Sequence, residues 1–275
     1  MAESLLEIIK EQCSSEGLQL PVFPETAMQI QRLIDRKDFS LKQVSDLICM
    51  DQALASEVLK LANSAFFSGF RKIGSIQDAV MRLGAKQILN CVVMMGQKNL
   101  YRSGNKLLNT YLHSLWEHAA ACAMGTKYLL EKTGYGDLAQ EGFLAGLLHD
   151  VGKLVLLKVV EHILASKSAP LPDAFALELL DNLHVEQGFA FAERWNFPEG
   201  YSRAIRDHHR EDFDPFDILV LAMRIANQAC HKLGLGMRKD PSLILSSLPE
   251  AHAMGVKEIV LAELEIFMED NAAKV

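Results

Sequence analysis

One absence constrains this chain more than any other feature. No proline occurs between Pro24 and Pro170, so the residue that most firmly breaks helices is missing from more than half of the sequence. Threonine is confined to Thr26, Thr110, Thr126 and Thr133, while Leu and Ala are abundant, a bias toward helix over strand. Apolar residues recur at helical spacing, as in Leu54, Val58, Leu61 and Ala62, in Ile88, Val92 and Met95, and in Val185, Phe189 and Ala192. No run alternates with a period of two for long enough to nucleate a sheet. These patterns predict an all-α protein of about a dozen helices.

Helix boundaries are legible in places. Ser40-Leu41-Lys42-Gln43 has the spacing of a capping box, and Val44, Leu47 and Ile48 follow it. Ser75-Ile76-Gln77-Asp78 opens another helix of the same kind, ahead of Ala79, Val80 and Leu83. Stops are expected at Gly69, Gly74 and Gly84, at Gly134 and Gly136, and around Pro170 and Pro172. Asp212 to Pro215 and Gly234 to Gly236 punctuate the last third. Ser103-Gly104 interrupts the pattern near Arg102 to Asn105, which marks a soft boundary. Short helices without a histidine precede it and all nine histidines follow it. The first part therefore reads as a packing or docking unit, and chemistry belongs to the second.

Charge and composition narrow the partners. Twenty-eight basic and 35 acidic side chains leave a net charge of −7, which opposes a nucleic-acid groove or an anionic membrane surface. The pairs Arg36-Lys37 and Arg71-Lys72 read as solvated surface. With 49% hydrophobic and 23% charged residues, the composition is that of a folded domain. Cys13, Cys49, Cys91, Cys122 and Cys230 are scattered and never paired as C-x-x-C. Met1 to Gln12 patterns as an amphipathic helix, not as a secretory signal. Phe143 to Val160 is very apolar but carries His149, Asp150, Lys153 and Lys158, which makes it costly inside a bilayer. A cytoplasmic protein with reduced thiols is expected.

The most informative segment is Leu147-Leu148-His149-Asp150-Val151-Gly152-Lys153, a histidine and an aspartate at the end of an apolar helix. Side chains at adjacent helical positions diverge by about 100°, yet both can reach one ion in a cleft beside them. Gly152 permits close approach of a substrate or a neighbouring helix, and Lys153 could meet a phosphate. His118, His184 and the pair His208-His209 complete a candidate constellation. Imidazoles with one carboxylate suit Fe, Mn, Zn or Ni better than Ca, and such an ion lowers the pKa of bound water and polarises phosphoryl oxygens. His113, His162, His231 and His252 fit no pattern and read as surface residues or helix caps.

Spacing and context here resemble the HD superfamily of metal-dependent phosphohydrolases, specifically its HDOD branch, the HD-related output domain. The resemblance rests on Leu20-Pro21-Val22-Phe23-Pro24, on Asp51-Gln52-Ala53-Leu54 through Leu61-Ala62-Asn63-Ser64-Ala65, and on Ile76 to Val80 with Leu83-Gly84. It continues through Trp195-Asn196-Phe197-Pro198 and Ala204-Ile205-Arg206-Asp207-His208-His209. It implies an HD-like helical bundle with a helical N-terminal subdomain. The HDOD domain would span 17–212, with an N-terminal half over 1–104 and a histidine-bearing HD-like half over 105–212. Residues 213–275 would be C-terminal helices packing on the HD-like half. By the same resemblance His118, His149, Asp150, His184, His208 and His209 are metal ligands, and Asp150 and Lys153 take catalytic roles, Lys153 toward phosphate.

Two departures bear on activity. HD hydrolases close the site with the aspartate of an Ala-Asp pair, but the matching place reads Leu221-Ala222-Met223-Arg224, so Met223 stands there. Asn227, one turn on, is a better substitute oxygen than Asp217, which lies on another face. The Gly-Tyr-Pro element of cyclic-di-GMP phosphodiesterases is missing. The reading adopted is a bacterial signal-transduction output or adaptor module with a degenerate, weakly or partly occupied metal site, binding a protein partner through its N-terminal helices. Its alternatives are an active phosphohydrolase acting on a nucleotide, a phosphate ester or another phosphorylated small molecule, and a bundle whose histidines make hydrogen bonds alone.

Overall fold

The computed structural model describes residues 2–14, 24–36, 38–63, 72–166 and 173–272, and helix accounts for 78% of it, with no strand among the described residues. Contacts divide the chain into two units, Pro21–Leu100 and Met1–Leu20 together with Tyr101–Val275. The first helix, α1 (Ala2–Ser14), thus groups with the larger unit, although the sequence reading joins it to the N-terminal half. Packing explains the difference: α1 buries Ile9 and Cys13, and the Arg194 guanidinium donates to the Cys13 carbonyl at 3.2 Å.

The smaller unit holds α2 (Glu25–Asp35), α3 (Leu41–Cys49), α4 (Gln52–Ala62) and α5 (Ile76–Lys98). Ser40 and Gln43 form the expected capping box, the Gln43 amide donating to Ser40 Oγ at 3.3 Å and the Ser40 amide to Gln43 Oε1 at 2.8 Å. Asp51 and Ser75 cap α4 and α5 with their side-chain oxygens, which accept from the Ala53 and Leu54 amides and from the Asp78 amide. Gly84 does not stop its helix. With φ +77° it kinks α5, and the chain resumes helical geometry beyond it. Asn63 joins the end of α4 to the approach to α5, because its side-chain amide donates to the Ile73 carbonyl at 3.0 Å and accepts from the Ile73 amide at 2.8 Å. The expected entry motif at 20–23, the stops at Gly69, Pro170 and Pro172, and Lys37, Ser64, Ala65 and Arg71 lie outside the described residues.

The larger unit continues with α6 (Lys106–Lys132), α7 (Ala139–Leu148), α8 (Val151–Ser166), α9 (Asp173–Arg194), α10 (Glu199–Asp207), α11 (Ile218–Leu233), α12 (Pro249–Met254) and α13 (Glu258–Ala272), with short 3-10 turns at Gly136–Leu138 and Leu245–Ser247. The long helix α6 is its axis, and α7, α11 and α13 pack on it. Ala119 to Ala123 present a surface of small side chains, all buried. Gly146 lies against that surface so closely that a Cβ there would come within 2.7 Å of the Cys122 carbonyl oxygen. No described helix is long and apolar enough to cross a membrane.

The tightest crossing joins α8 to α9. A Cβ on Gly152 would overlap the His184 carbonyl oxygen and lie 2.7 Å from the Gly188 amide nitrogen. Of the two uses the sequence allows for Gly152, the structure shows the approach of a neighbouring helix. Overpacking against backbone cannot be relieved by a rotamer change, so Gly152→Ala is expected to cost about 1–3 kcal/mol or more. Gly104→Ala, where nothing lies within 4 Å, serves as the control and is expected to stay within about 0.5 kcal/mol. Urea unfolding followed by circular dichroism measures both, and equal midpoints would refute the close crossing.

Candidate metal centre

Four helix segments deliver the predicted ligands to one place. His118 projects from the middle of α6, where the small Ala119–Ala123 surface lets α7 approach. His149 caps the C-terminus of α7, and Asp150 follows at the junction with α8. His184 comes from α9, brought up to α8 by the Gly152–Gly188 crossing. His208 caps α10, and His209 is the next residue. His118, His149, Asp150, His184 and His208 are all buried, none more than 5% exposed, while His209 is exposed.

Every buried imidazole is held by a backbone carbonyl. Nδ1 of His149, His184 and His208 lies 2.7 Å from the carbonyl oxygens of Gly146, Leu180 and Ile205, and Nδ1 of His118 lies 3.1 Å from that of Leu235. A carbonyl oxygen accepts only, so each Nδ1 carries the proton and donates it. The four Nε2 atoms then face inward, the orientation that outer-shell carbonyls impose on metal-ligating histidines.

These nitrogens form two groups around one carboxylate. His118 Nε2 and His149 Nε2 are 3.2 Å apart and lie 3.4 and 3.5 Å from Asp150 Oδ2. His184 Nε2 and His208 Nε2 are 3.1 Å apart, and each lies 3.5 Å from Asp150 Oδ1. His118, His149 and Asp150 thus make one potential ligand triad, and His184, His208 and His209 make another. The predicted ligands thus converge in one cleft and fall into two triads, with Asp150 facing both.

Electrostatics distinguish the triads. Burial pushes His118 down to about 3. Burial also works against a cation on His149, but the charges of Cys122 and Asp150 outweigh it and raise His149 to about 9. One proton therefore stays between the first pair, donated by His149 Nε2 to His118 Nε2. Burial lowers His184 to about 4 and lowers His208 as well, so neither holds a proton to share. Two neutral acceptors 3.1 Å apart repel unless a cation lies beside them. Asp150 Oδ1, buried and accepting no hydrogen bond, faces the same point. The donor set fits a borderline transition ion, which takes imidazole nitrogen, better than Ca²⁺ or Mg²⁺, which take oxygen.

Lys153 contacts the site directly, with Nζ 2.6 Å from Asp150 Oδ2. Burial alone would raise the Asp150 carboxyl, but Lys153 and the surrounding imidazoles hold it well below the usual carboxylate range. Met223 is fully buried, and its carbonyl oxygen lies 3.8 Å from Cys122 Sγ. Asn227 is 2% exposed and its Oδ1 has no hydrogen-bond partner. Asp217 is engaged elsewhere, capping α11 and pairing with Arg203 at 2.9 Å.

His231 corrects the sequence reading. It is neither a surface residue nor a simple cap, because its ring lies 5.5 Å from that of His118, and burial and the nearby His118 lower it to about 4. The signal was available, since Met223, Asn227 and His231 follow one another at i, i+4 and i+8 on one helix face. The carbonyl of Leu235 could not have been found this way, because the Gly234–Gly236 turn reads from sequence as punctuation alone. His113, His162 and His252 are exposed as expected.

The HDOD domain family model matches residues 20–211. An uncharacterized protein of Treponema pallidum (strain Nichols) is 31% identical over 215 residues, 75% of this chain, and the match covers 41% of that relative's length. Among solved structures, an HDOD domain protein of unknown function from Geobacter sulfurreducens superposes with a TM-score of 0.77 at 25% identity, covering 99% of this chain and 97% of the other. A protein from Shewanella amazonensis SB2B, provisionally described as a metal-dependent phosphohydrolase, shares the fold with a TM-score of 0.67 at 21% identity over 94% of this chain and 99% of its own.

The neutral imidazoles imply a pH dependence. His118 at about 3 and His184 at about 4 stay unprotonated in the fold, while an unfolded chain takes up protons near the ordinary 6.5. A depressed folded pKa means that the unfolded state binds more protons below 6.5, so this stability is complete above 6.5 and is lost as the pH falls toward 4. The limiting slope is about 1.4 kcal/mol per pH unit for each histidine. Urea midpoints of chelator-treated protein should fall across that window. A flat profile would mean that these imidazoles protonate within the fold.

Proposed function

This chain belongs to the HDOD family, and on that footing we propose that it is a signal-transduction output module built around an enclosed metal-holding centre. The observation that carries this reading is the convergence of four buried, carbonyl-oriented Nε2 atoms on both oxygens of one buried carboxylate. A bound ion would be held by His118, His149 and Asp150, or by His184, His208 and His209 with Asp150, and it would supply Lewis acidity and an acidified water. This chain's own residues orient the ligands and exclude solvent. Lys153 competes with an ion for Asp150 Oδ2, and Met223 brings no charge to the closing position. Both features favour weak or partial occupancy over turnover.

Protein binding is assigned to the helical unit Pro21–Leu100. Met50 there is 83% exposed and borders a cavity of about 400 Å³ between α2 and α3, lined also by Arg32, Leu33, Arg36 and Leu47. Methionine at a surface adapts its shape to a partner's apolar side chains.

The second reading, a phosphohydrolase, is favoured by one observation. His209 leaves the second triad open to solvent, and Lys153 stands at Asp150 where a phosphoryl group would need a cation. The description of the Shewanella relative agrees with it.

Elemental analysis of untagged protein after dialysis, with a phosphate-ester hydrolysis assay on the metal-supplemented protein, separates the readings. Wild type should retain less than two ions per chain and show no turnover. Asp150→Ala should lose nearly all metal, because it removes the anion shared by both triads, and Met223→Asp should tighten retention. Hydrolysis that vanishes in Asp150→Ala would establish the enzyme reading instead. Full occupancy that survives Asp150→Ala would refute the ligand set.

A further inference from the structure

The second triad depends on how the turn at the end of α10 is held, since His208 and His209 are consecutive residues on it. We propose that Arg224, braced by Glu250, is the positioning residue of that triad. This rests on the reading of the centre as metal-holding. Both residues lie past residue 211, where the family match ends.

The geometry is specific. Arg224 NH1 donates to the carbonyls of Asp207 and Arg210, each at 2.8 Å, so one nitrogen ties together the backbone immediately before His208 and immediately after His209. Carbonyls at a helix C-terminus lack intrahelical donors and carry the negative end of the dipole, and a guanidinium answers both. Nε and NH2 of Arg224 both reach Glu250 Oε1, at 2.7 and 2.6 Å, and the guanidinium lies 5.0 Å from the centre of the Phe213 ring. The pair is buried, with side chains 12% and 6% exposed. A forked donor clamped on one edge by a carboxylate and packed against a ring has no freedom left. It transmits that rigidity to the two carbonyls. With the His208 Nδ1–H donating to the Ile205 carbonyl at 2.7 Å, both the backbone of the turn and the first of its rings are fixed.

Arg224 touches neither His118 nor His149 through any of these bonds, so its loss should act on one triad. Outer-shell partners of metal ligands are worth about 10–100-fold in metal affinity. The double variant Arg224→Met/Glu250→Gln removes the clamp without leaving a buried charge unpaired. Metal-free wild type and variant are titrated with cobalt(II) alone, by calorimetry and by the visible bands of the bound ion. The variant should weaken the second ion by about 10–100-fold while leaving the first unchanged, matching His209→Ala and not His118→Ala. Arg224→Lys, which keeps the charge but lacks the fork, should fall between. It also carries the comparison if the double variant does not reach the wild-type helical circular dichroism. Wild type that takes up no cobalt would overturn the metal reading together with this inference. Wild type that binds cobalt, with affinities unchanged in the variants, would overturn this inference alone.

Discussion

A carboxylate buried at the meeting of four helix segments governs this protein. Asp150 has lost nearly all its water, and an ion in such a place is retained when opposite charge and hydrogen-bond donors replace the solvent. Lys153 supplies one charge at Oδ2, and the proton shared by His118 and His149 supplies another. Oδ1 faces the imidazoles of His184 and His208, each 3.5 Å away. The two sides of one carboxylate are therefore unequal. One faces Lys153 and the proton of the first imidazole pair, and the other faces the second imidazole pair.

That arrangement needs helices closer together than ordinary side chains allow. Gly146 lets α7 meet α6, and Gly152 with Gly188 lets α9 meet α8. Each crossing places a histidine beside Asp150. The segments after residue 217 complete the centre from outside. The Leu235 carbonyl sets the tautomer of His118, Gly236 passes so near His118 that a Cβ there would lie 2.8 Å from its Cβ, and Cys230 directs its thiol to the His118 carbonyl. The end of α11 and the turn after it thus hold His118 in place.

Enclosure of this kind weighs on function. An ion surrounded by buried ligands is stabilised in place, and its usefulness to a substrate depends on an open coordination position. His209 provides the one solvent-facing ligand of the six proposed. A centre that only holds an ion requires less access than one that turns over a phosphate ester.

The all-helical class was legible in the sequence because proline exclusion, Leu and Ala content and 3.6-residue periodicity are local properties that no tertiary contact needs to supply. The capping box at Ser40, the cap at Ser75, and the candidate ligands were readable for the same reason, as residue types at helical spacings. Gly84 shows the limit, since a glycine reads identically whether its helix stops or bends. The division of the ligands into two triads, the recruitment of His231, the Leu235 carbonyl and the Arg224 clamp belong to the tertiary structure. Each joins residues far apart in the chain, and each depends on which polar group meets which partner. That choice is made by a distance of about 3 Å between packed helices, a quantity on which the order of residues along the chain is silent.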